Sequence, residues 1–118
     1  MLTKEINGKN YNFKFGIRFV RKLDESIKTE QNGIEFGVGA SVKIAQLANA
    51  NDITSLVDIL KVANETENPR LTVSQLEDWI DELEDIDALA DEVVEELKQS
   101  NATSGKMKAL AAAEQKAQ

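Results

Sequence analysis

The sequence predicts an α+β fold that is mainly α. An N-terminal β-hairpin packs on a bundle of about five short helices, and a flexible C-terminal tail follows. Three observations predict it. An Asn-Gly pair separates two short runs near the start, five later segments repeat apolar residues three and four apart, and residues 101–118 hold only two large apolar side chains.

The hairpin spans 3–15. Thr3-Lys4-Glu5-Ile6 and Tyr11 to Phe15 flank Asn7-Gly8-Lys9-Asn10, and Asn-Gly favours a hairpin because both positions take positive φ readily. Tyr11, Phe13 and Phe15 alternate with Asn12 and Lys14, giving one apolar face and one wet face. A lone hairpin is marginal in water, so the aromatic face needs a helix beneath it.

The first helix is expected over about 17–28, where Ile17, Val20, Leu23 and Ile27 keep a helical rhythm. Residues 29–39 read as a loop, rich in glycine (Gly33, Gly37, Gly39) around Ile34 and Phe36. A second helix is expected over 40–50 and a third over 53–64, the latter capped by Asp52 and striped by Leu56, Val57, Leu60 and Ala63. Glu65 to Leu71 is a connector holding Pro69. Thr72 with Gln75 forms a capping-box pattern for a fourth helix over 73–84, carried by Leu76, Ile80 and Leu83. The stripe then skips by one residue, and Ile86, Leu89, Ala90, Val93, Val94 and Leu97 continue it. A break near 84–87 and a fifth helix over 86–99 follow, with one bent helix as the competing reading. These elements make residues 1–100 one globular domain. In the tail, 101–118, each ordered residue costs about 1–2 kcal/mol of backbone entropy. Met107 and Leu110 return only about 1.5–3 kcal/mol each, so a mobile Ala/Lys-rich segment is expected, helical at best in passing.

Composition narrows function. The 118 residues carry neither histidine nor cysteine, which removes the commonest general base and the thiolate and imidazole metal ligands. The start of the chain has no apolar stretch of the secretory kind, and no run approaches a membrane span. Net charge is −7, and residues 51–100 hold fifteen acidic side chains against three basic ones. Such a surface repels phosphates, so neither nucleic acid nor an anionic membrane is expected as a partner. Like charges four apart, as in Glu77/Asp81, Asp78/Glu82, Asp87/Asp91 and Glu92/Glu96, each oppose the helix by roughly 0.2–0.5 kcal/mol. Burial of one large aliphatic side chain outweighs several of them.

The acidic run Asp81, Glu82, Glu84, Asp85, Asp87 lacks the glycine and terminal glutamate of a calcium loop. Gly33, Gly37 and Gly39 match no phosphate-binding spacing, and the carboxylates show no cleft for glycoside hydrolysis. No catalytic residue, metal or cofactor is expected. The candidate partner-binding residues are Trp79, Phe19 and Phe36 as aromatic anchors, Asp78, Asp81 and Glu82 on the acidic face, and Met107 and Leu110 in the tail. A basic first helix (Arg18, Arg21, Lys22) and an acidic fourth and fifth helix in one chain predict self-association.

Ile6-Asn7-Gly8-Lys9 through Phe15-Gly16-Ile17-Arg18-Phe19 and Leu23-Asp24 resembles the start of siphophage tail assembly chaperones. The resemblance continues through Asn32 to Gly37, through Leu76-Glu77-Asp78-Trp79-Ile80-Asp81, and through Ala88-Leu89 to Asn101. It spans nearly the whole chain as an ordered set of blocks. It implies a non-catalytic protein in the cytoplasm of an infected bacterium, which binds the tape measure protein, helps recruit the major tail tube protein and is absent from the finished virion. It also implies an extended form made by ribosomal frameshifting, with which the late Gln115-Lys116 is compatible. The chain would be the short form. The alternative is a structural or adaptor protein of the particle, of head–tail connector type.

Overall fold

A computed structural model describes the backbone of residues 1–117 and the side chains of 1–113. Ten elements follow in order. They are β1 (Leu2–Ile6), β2 (Lys9–Phe13), α1 (Ile17–Asp24), β3 (Lys28–Gln31), β4 (Ile34–Gly37), α2 (Gly39–Ala50), α3 (Ile53–Asn64), α4 (Val73–Asp81), α5 (Ile86–Gln99) and α6 (Ser104–Ala117). Strands β1 and β2 pair antiparallel with Leu2 opposite Phe13 and Ile6 opposite Lys9. That register puts Leu2, Ile6, Tyr11 and Phe13 on one buried face, as the alternation predicts.

The hairpin lies on α3, tied by the Lys14 N–H donating to the Ala63 carbonyl at 2.8 Å. Helix α3 is the hub, contacting β2, α1, α2 and α4, while α5 packs on α2 and on α6. Its core residues Leu56, Ile59, Leu60 and Ala63 are buried with Phe13, Phe19, Leu23, Ile44, Leu47, Leu76 and Val93. Asp52 caps α3 by accepting the Ser55 N–H at 2.9 Å, Thr72 and Gln75 form the reciprocal box on α4, and Asp85 caps α5 by accepting the Ala88 N–H.

The structure differs from the sequence reading in four places. Helix α1 stops at Asp24, short of 28, because the Ser26 hydroxyl and N–H both bond the Leu23 carbonyl and close the last turn. The Val38 N–H then donates to Ile27, drawing the chain into a strand. The glycine-rich stretch expected as a loop is a second hairpin, β3–β4, turned on Asn32 and Gly33 with φ of 54° and 79°. There are also six helices among the described residues against about five expected, since Ser104–Ala117, expected to be helical only in passing, forms α6. Alanine favours that helix intrinsically, and the buried Thr103 anchors its start by donating from Oγ1 to the Leu97 carbonyl at 2.6 Å. Helix α4 also ends at Asp81 instead of 84. Asp85 lies beyond the break as the N-cap of α5, so the like-charged pair Asp81/Asp85 does not face along one continuous helix.

Two glycines fix how the second hairpin is mounted. A Cβ at Gly39 would stand 1.8 Å from the Leu23 carbonyl oxygen, and one at Gly37 would stand 2.8 Å from that of Asp24. The backbone entering α2 therefore presses directly on the end of α1, and the Asp24 carboxylate accepts the Ala40 N–H at 3.0 Å in place of a local cap.

Candidate partner-binding surface

The eight candidate residues do not gather at one place. Asp78, Asp81 and Glu82 are exposed on or just after α4, with Trp79 half-buried between them and the core. Phe36 is exposed on β4. Phe19 is core: it is 2% exposed and meets Phe15 edge-on with ring centres 5.2 Å apart. Met107 is buried and Leu110 half-buried, so both attach α6 to the body. Of the aromatic candidates, Trp79 and Phe36 alone reach the surface.

The acidic run from α4 into α5, in which Trp79 stands, has a distinct electrostatic character. Glu77, Asp78, Asp81, Glu82, Glu84, Asp85, Asp87 and Asp91 are all exposed. None of them has a cationic group within 4.0 Å among the described residues. The remaining acids of α5 are answered: Lys4 reaches Glu92 at 2.5 Å, the N-terminal ammonium reaches Glu96 at 3.5 Å, and Lys98 reaches Glu95 at 3.2 Å. Negative charge is thus left uncompensated on α4 and the first half of α5, next to an indole whose apolar body is only partly covered. That combination suits an amphipathic anchor with charge around it.

On α1, Arg18, Arg21 and Lys22 are exposed. Lys22 is engaged by Glu65, whereas Arg18 and Arg21 have no carboxylate within 4.0 Å among the described residues. Beside α1 lies an open groove of about 1010 Å³, bordered by Lys14 to Phe19, by Thr66 and Glu67, and by the α5–α6 corner at Gln99 to Ala102. Its walls are mixed in polarity. Among the described residues no three carboxylates converge into a metal site, and no helix is long and apolar enough to cross a membrane.

Two carboxylates hold shifted protonation. The Ser55 hydroxyl and N–H, with Lys43 further off, keep Asp52 below its ordinary value. Partial burial works to raise Glu65, but bonds and charge from Lys22 and Lys61 overcome it and leave the group lowered. Both lie at helix ends and serve the fold.

Besides α6, sequence reasoning missed two features. One is the second hairpin, whose signal was present in Thr29-Glu30-Gln31, Asn32-Gly33 and Ile34-Glu35-Phe36. The other is Asn64, fully buried, which donates from Nδ2 to the carbonyls of Asn12 (3.0 Å) and Pro69 (3.1 Å) and accepts the Leu71 N–H at 2.6 Å. Nothing in its sequence surroundings marks it.

A sequence model described as phage tail assembly chaperone protein, TAC, matches residues 3–111. No curated protein and no solved structure matches the chain.

Proposed function

The chain belongs to the phage tail assembly chaperone family, and from that premise we propose that it binds the tape measure protein and helps recruit tail tube subunits while the tail is built. It acts in the cytoplasm of the infected bacterium, by binding alone, and leaves before the virion is complete. The observation that carries this reading is the run of eight exposed carboxylates along α4, the turn after it and the first half of α5, none with a cationic group within 4.0 Å among the described residues, with the half-buried Trp79 on α4 in the same run. A face of this kind attracts a basic protein segment by charge and anchors it by burying the indole.

Self-association belongs to the same reading. Arg18 and Arg21 of one copy, which have no carboxylate within 4.0 Å among the described residues, complement the acidic face of another, a head-to-tail contact that salt weakens because the charges are exposed.

Co-expression with the tape measure protein tests the proposal. A stable complex is expected on purification, and Trp79→Ala combined with Asp78→Lys and Glu82→Lys should weaken it at least tenfold. A tape measure protein that never co-purifies with the unaltered chain overturns the proposal.

A further inference from the structure

The two hairpins repeat one design with opposite outcomes. Each turns on an Asn-Gly pair with both residues at positive φ: Asn7 at 52° and Gly8 at 82°, Asn32 at 54° and Gly33 at 79°. Laid turn on turn, the second hairpin puts Phe36 where the first has Tyr11, and Thr29 where the first has Lys4. The pairing register sets Thr29 opposite Phe36 and Gln31 opposite Ile34. These four share one face without a charge, while Lys28, Glu30 and Glu35 share the other.

In the first hairpin the corresponding face, with Tyr11 and Phe13, is buried against α3. In the second, Ile34 is 58% and Phe36 46% exposed. A two-stranded ribbon is marginal in water unless its apolar face rests on something. This one is held at its base by Gly37 and by the Val38–Ile27 hydrogen bond, with both strands exposed along their length.

We infer that the uncharged face of β3–β4 is a seat for an amphipathic helix of a partner protein, which packs on Ile34 and Phe36 as α3 packs on Tyr11 and Phe13. The inference deepens the reading given above, that the chain binds other tail proteins. Charge favours an uncharged stripe, because a charged side chain set against this face would lose its hydration and find no counter-charge there. Area disfavours a second copy. Two strands of four residues cover roughly 13 by 10 Å, so two such faces together hide a few hundred Å² at most, against the about 1,200–2,000 Å² of a stable interface. A helix longer than the ribbon is not confined to that area, since two or three anchors at spacings of three and four seat it and its remaining length lies on neighbouring surface.

The test titrates the purified tape measure protein with the unaltered chain and with an Ile34→Ser, Phe36→Ser double variant. Both side chains are exposed, so the variant should melt at the same temperature as the unaltered chain. Binding at least tenfold weaker in the variant supports the seat. Equal binding overturns it and leaves the chaperone reading standing, whereas no binding by either protein overturns both. A second measurement identifies the occupant. The chain has no cysteine, so Thr29→Cys offers a single thiol on the same face for a benzophenone label. Crosslinks in the complex should fall in a partner segment whose apolar residues recur three and four apart. Crosslinks to an extended segment, or to a second copy of this chain, overturn the inference.

Discussion

At the scale of single residues, Asn64 holds three parts of the molecule together. One amide joins the end of β2, the end of α3 and the connector before α4, and it satisfies three backbone groups in a site closed to water. Asn64→Ala should cost about 3 kcal/mol, read as a lower urea midpoint. A loss within experimental error would show that these groups find other partners. Asp52, by contrast, was legible, because a cap bonds the backbone three residues on. The partners of Asn64 include a carbonyl 52 positions away, and no local pattern encodes that distance.

Protonation belongs to this scale too. Asp52 and Glu65 are both held below their ordinary values of 3.8 and 4.5, so the folded state binds these protons less readily than the unfolded chain. Their contribution is complete above the unfolded values and is lost as pH falls through the folded ones. Urea midpoints should therefore hold between pH 5 and 8, where no histidine titrates, and fall below about pH 4.5. Glu65→Gln should flatten part of that fall. A midpoint that drops between pH 7 and 5 would contradict the assignment.

At the scale of elements, the helices with a continuous apolar stripe and a side-chain cap were readable, as α3, α4 and α5 show. The second hairpin carried the same Asn-Gly cue as the first, but Ile34 and Phe36 make an alternation too short to stand out from the glycines around them. Helix α6 was hidden for another reason: weighing Met107 and Leu110 against entropy left out the Thr103–Leu97 hydrogen bond and the Ser100 hydroxyl donating to the Phe15 carbonyl. Met107 is the side chain that attaches this helix. Met107→Ala should cost about 2 kcal/mol and speed amide exchange in α6 while leaving α3 protected. Equal acceleration in both helices would mean that α6 unfolds only with the whole. The candidate surface divides in the same way. Exposed charges follow from periodicity, but the burial of Phe19 depends on Phe15 and the α3 core, which no single helix reveals.

At the scale of the whole molecule, charge is separated between a basic α1 and an acidic α4–α5. Within α5, Asp87/Asp91 and Asp91/Glu95 remain like-charged neighbours, with no cation within 4.0 Å of Asp87 or Asp91 among the described residues, each pair opposing the helix by about 0.2–0.5 kcal/mol. Raising salt from about 0.05 to 0.5 M shortens the Debye length several-fold. It should raise the melting temperature while weakening any head-to-tail contact between copies. A melting temperature that falls with salt would show that ion pairs such as Lys4–Glu92 matter more than the repulsion.

A chaperone of the proposed kind takes part in building the tail and does not remain in it. Quantitative mass spectrometry of purified virions, beside complexes isolated during assembly, measures this directly. The chain should accompany the tape measure protein in the assembling complexes and fall below detection in finished particles. A fixed stoichiometric amount in the mature virion would contradict the account and make the chain a structural component.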